Sequence, residues 1–134
     1  MKQPNYWRHF LSSHSLEGAE VEVPERQDQS GLGVELTFLD EEETRQESEE
    51  LYPGITVCPD GYVPVGGCSV GTGDPYFINT RDGENGPLYR IYHDAVGVEG
   101  YDPQEAVVVV LTDYRELLKW QRTYQCDAPD RALI

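Results

Sequence analysis

The stretch GYVPVGGCSVGTGDPYFINTRDGENGPLYRIYHD, residues 61–94, carries the signals that decide the fold. Within it, two runs at 74–80 and 88–93 are rich in the aromatic and β-branched residues that strands favour. The residues RDGENG between them contain an Asp-Gly and an Asn-Gly pair, which are strong turn signals. This order predicts an antiparallel β-hairpin.

Further strands are predicted on both sides of the hairpin. Apolar and polar residues alternate over 34–38, which is typical of a half-buried strand. The continuous run AVVVVL at 106–111 predicts a central strand buried on both faces. A brief strand is possible at Val21 and Val23. Because proline has no N–H to donate, Pro64 restricts its short run to an edge or a strand end.

Helices are predicted in three places. Residues 4–16 form a short helix or turn around several aromatic side chains. Asp40 followed by Glu43 has the spacing of a capping box and starts a surface helix, whose C-terminal end we expect Leu51 and Tyr52 to anchor. Residues 113–124 form an amphipathic helix with apolar positions at helical spacing, which we expect to cover one face of the sheet.

The order of elements lacks regular βαβ alternation and therefore predicts an α+β fold. At 134 residues the chain suits a single domain with a mainly antiparallel sheet and helices packed on one side or end. We place this domain at residues 32–134. Residues 1–31 are predicted to be a partly ordered N-terminal extension, more loosely held than the rest.

Charge limits the possible partners. The chain has 25 acidic and 10 basic side chains, a formal net charge of -15, so nucleic acid and anionic membrane surfaces would repel it. A basic protein partner would be attracted and steered toward it. High solubility or adaptation to high salt explains the same acidity, and the two interpretations stay open.

Three cysteines, Cys58, Cys68 and Cys126, form no CxxC pair and leave one over after any pairing. That number favours a reducing compartment over a disulfide framework. The N-terminal residues lack the apolar core of a signal peptide, and no run approaches the length that spans a bilayer. We therefore expect a cytoplasmic protein.

The glycine cluster GGCSVGTGD suggests a phosphate cradle, but its context favours a structural turn. A phosphate loop ends in Lys-Ser/Thr and enters a helix, whereas this one runs into Asp74-Pro75 and a strand. Oxygen ligands for a metal are present, but their spacing does not match a calcium loop, and the histidines and cysteines match no zinc pattern. These carboxylates are Asp74, Asp82, Glu84 and Asp94. We expect no metal and no cofactor.

Nucleophilic catalysis is a further possibility. Cys68 or Ser69 beside glycines, with His93 and Asp94 downstream, supplies the residue types of a hydrolytic triad. Gly-x-Ser-x-Gly is absent, and a cysteine in a glycine turn is more often a small buried side chain than a nucleophile. The sequence therefore favours a protein that is not an enzyme, with the hydrolase kept as an alternative.

Four pieces of the chain resemble the SUKH superfamily, which joins fungal regulators of cell-wall synthesis to bacterial immunity proteins of toxin systems. Two of the pieces lie in GYVPVGGCSVGTGDPYFIN, the third is GPLYRIYHD, and the fourth is VVLTDYRELLKW. Together they cover about residues 32–120. The matching residues are Tyr62, Pro64 and Gly66, then Gly73, Asp74 and Pro75, then Tyr89, His93 and Asp94, and finally Asp113, Tyr114, Leu117 and Leu118. The chain departs from the pattern at Tyr114, where phenylalanine is usual, and lacks the N-terminal motif of many members.

The resemblance implies an α+β fold and a protein that works by binding rather than catalysis. Immunity members block a cognate toxin, so we expect this chain to neutralise a toxin, one whose basic surface its acidity suits. A regulatory scaffold of the same superfamily is the alternative. Residues 66–75 would form a corner of the sheet, with Asp74 capping backbone donors in the turn.

Two acidic loops with nearby tyrosines are the predicted partner-binding sites. One is the hairpin turn and the other is the loop over residues 94–102, because loops on a rigid sheet concentrate binding residues. The residues concerned are Asp82, Glu84, Asn85, Tyr92, Asp94 and Tyr101. Solvated turns without a partner have the same composition.

Overall fold

The computed structural model describes residues 2–28, 31, 33–68 and 74–120. The helices there are α1 (Asn5–Ser13), α2 (Glu41–Glu49), α3 (Gly54–Val57) and α4 (Pro103–Ala106). The strands are β1 (Glu20–Val23), β2 (Val34–Phe38), β3 (Tyr62–Cys68), β4 (Tyr76–Asn79), β5 (Leu88–Ile91), β6 (Val96–Gly97), β7 (Gly100–Tyr101) and β8 (Val107–Leu111). A 3-10 helix, Tyr114–Trp120, follows β8.

Six strands form one curled sheet in the order β1-β2-β3-β4-β5-β8, and every neighbouring pair is antiparallel. Strands β6 and β7 make a separate small hairpin. The predicted hairpin is confirmed, since β4 pairs with β5 and Phe77 lies opposite Tyr89. The α+β class, in one compact domain, is confirmed as well.

The first face of the sheet is covered by α1 and by the 3-10 helix after β8. Trp7 of α1 is fully buried, and its ring lies 4.9 Å from the Tyr114 ring, edge to face. Phe38 of β2 and Leu117 belong to the same core. Residues 1–31 were predicted to be a partly ordered extension. Within them, α1 supplies large buried rings to this core, and β1 pairs with β2.

The second face carries a smaller core. Phe77 and Ile91 point to this side and pack with Val57 of α3, and with Val96 and Ala106 from the chain that returns after β5. α2 also lies on this side, where the Thr44 hydroxyl donates to the Pro64 carbonyl at 2.8 Å. Helices therefore contact both faces of the sheet.

Strands β3 and β8 occupy positions that differ from the predictions. β3 is an interior strand between β2 and β4, although it contains Pro64. A register shift between Pro64 and Gly66 accommodates the missing N–H, and the Pro64 carbonyl is satisfied from α2. β8 was predicted to be central, but it lies at the end of the sheet order with Val107, Val108 and Val109 only half-buried.

Two helix predictions are also corrected. Leu51 and Tyr52 do not anchor the end of α2, since both side chains are exposed, by 41% and 47%. The helix predicted at 113–124 is a 3-10 helix over Tyr114–Trp120, and residues 121–124 lie outside the described part of the chain. The backbone N–H of Glu116 bonds to the Asp113 carbonyl at 3.0 Å, the i+3 pattern of that tighter helix.

A buried arginine of β5 contacts the connection between β1 and β2. Arg90 of β5 is 4% exposed and donates to the Tyr76 hydroxyl and to the Gly33 carbonyl. Its guanidinium also lies 3.7 Å from the Asp28 carboxylate, whose side chain is fully buried. The connection between β1 and β2 is therefore held against β5, four strands along the sheet from β1.

Candidate functional site

The second face of the sheet carries three half-buried tyrosines near one end. Tyr62 of β3 and Tyr89 of β5 have ring centroids 5.5 Å apart with perpendicular planes. Tyr62 also meets the buried ring of Phe77 edge to face, at 6.5 Å. Edge-to-face contacts of this kind fix the orientation of aromatic rings. Tyr101 of β7 packs against the same core.

Carboxylates hold the outer ends of two of these rings. The Tyr89 hydroxyl donates to Asp82 Oδ2 at 2.7 Å, and the Tyr101 hydroxyl donates to Asp60 Oδ2 at 2.6 Å. We call Tyr62, Tyr89 and Tyr101, with Asp60 and Asp82, the tyrosine surface.

The ionisation state of these phenols follows from their surroundings. Partial burial raises the pKa of Tyr89 and of Tyr101 well above the ordinary range, and the hydrogen bond to the neighbouring carboxylate raises it further. Burial also raises the pKa of Tyr62. All three phenols are therefore neutral at physiological pH, and the negative charge at this surface comes from the carboxylates.

A groove runs beside the tyrosine surface, between α3 and the β6–β7 hairpin. Its walls include Ile55, Pro59 and Asp60 on one side and Val98 and Tyr101 on the other. Val98 is 78% exposed at the tip of the hairpin. The Thr56 hydroxyl donates to the Gly97 carbonyl at 2.9 Å and ties the hairpin to α3. The groove therefore combines apolar walls with a carboxylate.

The predicted partner-binding residues are not all at this surface. Asp82 and Tyr101 belong to it. Glu84 is exposed. Burial raises the pKa of Tyr6 and of Tyr114, tyrosines of the other face, and the charge of Glu84 adds to that rise.

The remaining predicted partner-binding residues lie in the turns. Asn85 has a left-handed backbone, with φ of 66°, in the hairpin turn. Tyr92 is half-buried, and Asp94 is exposed beside His93. Among the described residues, no hydrogen bond or ring contact joins these three to the tyrosine surface, and their binding role stays a prediction.

Asp74 and His93 are brought together from two of the pieces that resemble the SUKH superfamily. Asp74 Oδ1 accepts from the backbone N–H of His93 at 2.9 Å and lies 2.6 Å from its Nδ1. The other ring nitrogen, Nε2, lies 3.1 Å from the exposed Asp94. Asp74 thus accepts from a backbone N–H just after β5, outside its own turn.

These contacts bear on the hydrolase hypothesis. Both ring nitrogens of His93 face carboxylate oxygens, so the ring is held by acids on its two sides. Cys68 is half-buried, and Ser69 lies outside the described residues. Cys58 is a free thiol, and burial raises its pKa to about 11.

The glycine-rich corner is seen in part. A Cβ on Gly66 would come within 2.5 Å of Leu36 Cγ, so only glycine allows β3 to pass this side chain. Pro75 is buried where the chain enters β4, and Gly73 lies outside the described residues. Within the described ranges, no three His, Cys, Asp or Glu side chains are grouped so that they could hold a metal ion.

Comparison with known proteins returned no match: no family model, no curated protein and no solved structure is similar to this chain. The SUKH resemblance therefore stays a prediction. In the part of the chain that the structure describes, no helix has both the length and the apolar character that crossing a bilayer requires.

The sequence did not indicate that Asp60, Tyr62 and Tyr89 belong to the tyrosine surface. The alternation in β5 signals that Tyr89 and Ile91 share one face, but nothing local shows that this face is only half covered. Asp60 precedes a glycine in a 3-10 turn, a position that is acidic in many surface loops. Only the packing of β7 against α3 makes Asp60 the partner of Tyr101.

Proposed function

We propose that this protein is a non-enzymatic binding protein that neutralises a basic toxin by stoichiometric association, the activity that resemblance to SUKH immunity proteins implies. The observation that carries the proposal is the tyrosine surface, three half-buried tyrosines rimmed by carboxylates on a chain of net charge -15. Nothing in the proposal requires turnover, a metal or a cofactor.

The chemistry of this surface suits a basic protein. Tyrosine contributes a large contact area with few rotatable bonds, which is why it is frequent among the residues that dominate binding energy. Carboxylates around it offer partners for lysine and arginine, and they can occupy the place that nucleic-acid phosphates take on a basic nuclease. The negative field of the whole chain would speed the encounter.

The proposal is tested in cells with the toxic domain encoded beside this gene. We expect the toxin alone to stop growth and co-expression with this protein to restore it. The purified pair should form a complex of fixed stoichiometry, and protection should end once toxin exceeds this protein. Protection by amounts far below the toxin, or toxin that is chemically altered after release, would contradict the proposal.

Charge reversal tests where the partner docks. We expect Asp82→Lys with Glu84→Lys to slow association at low salt by about tenfold or more and to flatten its salt dependence, because close charges steer encounter. The matched control is Glu17→Lys with Glu22→Lys, the same change of net charge on exposed residues near the far edge of the sheet. Equal rates in the two double variants would place the contact elsewhere, first at the acidic helix α2.

A regulatory scaffold remains the alternative, because the same surface can hold a partner that is not toxic. The position of the gene separates the two functions. A neighbouring gene for a large secreted protein with a variable toxic C-terminal domain favours immunity, whereas a gene without such a neighbour favours the scaffold. The hydrolase alternative requires Cys68 or Ser69 to act with His93, and loss of neutralisation on substituting Cys68 would favour it.

A further inference from the structure

Strand β8 is the last strand in the order of the six-stranded sheet. Among residues 2–28, 31, 33–68 and 74–120, no strand pairs with the side of β8 that faces away from β5. The strand VVVVL contains no charge, proline or glycine. Natural sheets usually protect such edges with lysine, proline, bulges or a covering element, because an unpaired row of N–H and C=O groups accepts another strand.

The opposite edge shows those protections. β1 is a strand of four residues in which Glu20 and Glu22 are exposed, and Pro24 follows it at once. The 3-10 helix Tyr114–Trp120 also contacts β1. The two edges of one sheet therefore differ: the edge at β1 carries exposed glutamates and is followed by a proline, whereas β8 has neither.

β8 also borders the tyrosine surface. Val109 lies opposite Tyr89 in the β5–β8 ladder, so the two side chains share a face, and both are half-buried. A strand added outside β8 would lie about 10 Å from β5, which is two strand spacings. The aliphatic part of a long cationic side chain could cross Val109 and bring its charge to the ring of Tyr89 and to Asp82.

We propose that β8 is the docking edge for the basic partner, which adds an extended segment to the sheet as a seventh strand. The segment carries an arginine opposite Val109, with its guanidinium over Tyr89 and beside Asp82. Charge decides the occupant, since a second copy of this chain would bring another net charge of -15. The inference rests on the proposed function for the identity of the partner, but not for the pairing itself.

A synthetic peptide tests the pairing directly. The probe is a short capped peptide that alternates arginine and valine, and the readout is amide hydrogen exchange of the full-length protein. In the free protein we expect the outward amides of β8 to exchange much faster than those of β5. Saturating peptide should slow exchange at residues 107–111 by about tenfold or more and leave β1 unchanged.

A matched peptide with the same side chains and charge, N-methylated at alternate residues, separates strand pairing from simple charge attraction. It should bind weakly and protect nothing, because it cannot complete the hydrogen-bonded ladder. The variant Val109→Lys should lose most peptide binding, whereas Leu51→Lys, which places the same charge on an exposed apolar residue away from β8, should not. Variant folding is checked by circular dichroism and by exchange at β4.

Several outcomes would overturn the inference. Slow exchange of β8 in the free protein would mean that its edge is already paired. Equal binding of the N-methylated peptide, or absence of protection at β8, would mean that no strand is added. If Val109→Lys still neutralises the toxin with unchanged affinity, strand addition fails while the proposed function stands. If the peptide pairs but no toxin is neutralised, the proposed function fails while the docking edge stands.

Discussion

Asp74 shows how much one side chain at the glycine corner contributes. Its carboxylate receives the His93 backbone N–H and contacts the His93 ring, which joins the entry of β4 to the end of β5. The sequence predicted a structural role for this residue within its own turn. The residue that it holds could not be predicted, since His93 is 19 positions away and meets Asp74 only when the two strands pair.

We expect Asp74→Ala to lower the free energy of unfolding by roughly 1.5–3 kcal/mol, the range for a hydrogen bond to a charged group. Urea denaturation followed by circular dichroism measures the change. The control is Asp94→Ala, which removes the other carboxylate beside His93. Since the Asp94 side chain is 91% exposed, its loss should change stability little. Equal losses in both variants would contradict the structural role.

Cys58 provides a test of burial through pH. Burial raises the pKa of its thiol from 9.0 to about 11, so the folded protein holds the proton more tightly than the unfolded chain does. The resulting stabilisation is complete below about pH 9 and is lost as pH rises toward 11. Stability should therefore fall in alkaline solution over this window.

The rate at which a thiol reagent modifies Cys58 tests the same raised pKa. At pH 8 a thiol reagent should modify Cys58 about a hundredfold more slowly in the folded protein than in urea, because two pKa units reduce the thiolate fraction by that factor. Peptide mass spectrometry assigns the label to each cysteine. Folded and unfolded rates that agree within a factor of two would show that Cys58 is not protected. Much faster labelling of Cys68 would revive the hydrolase hypothesis.

At the scale of elements, local signals were reliable where the partner of each group is a few residues away. The capping box of α2 is present as predicted: Asp40 Oδ1 accepts from the Glu43 N–H at 2.8 Å, and Glu43 returns the bond to the Asp40 N–H at 2.9 Å. The turn between β4 and β5 also forms as predicted. Both depend on short-range geometry that residue type controls.

We expect Asp40→Ala to cost about 1 kcal/mol of folding free energy, since it removes the acceptor for a helix N-terminal N–H. Gln46→Ala in the same helix is the control, because Gln46 is exposed and alanine is a good helix former. Thermal unfolding measures both. A Gln46 variant that is as unstable as the Asp40 variant would indicate loss of general helix content rather than of the cap.

The predicted positions of strands in the sheet were wrong where the position depends on neighbouring elements. A run of valines is typical of a strand with cover on both faces, yet β8 lies at an edge with three half-buried valines. A proline is typical of an edge, yet Pro64 lies in an interior strand, because a register shift and the Thr44 hydroxyl accommodate it. Composition describes a strand's own side chains and not the elements packed against them.

At the scale of the whole molecule, the buried contact between Arg90 and Asp28 holds the connection between β1 and β2 against β5. Removing one member of a buried ion pair leaves the other charge without compensation, which typically costs about 3–5 kcal/mol. We expect Asp28→Asn to destabilise the protein by about that amount, with β1 and β2 losing exchange protection together with the rest of the sheet.

The control for this pair is Glu25→Gln in the same connection, where the side chain is exposed and neutralisation should change stability by less than about 0.5 kcal/mol. Unfolding in guanidinium chloride compares the two variants. If Asp28→Asn has a small effect on stability and only β1 loses exchange protection, the N-terminal residues fold as a separate extension, as the sequence predicted.

The sequence by itself determined the α+β class, the strands around the central hairpin, the capping of α2 and the net charge of -15. These depend on residue type, on period and on partners close in the chain. Only the tertiary structure decided that α1 belongs to the core, that β8 is the last strand in the sheet order and that Asp60 and Asp82 hold the tyrosines. The physical reason is that burial and hydrogen bonding between distant residues depend on how the sheet curls and what lies on each face, which no local pattern specifies.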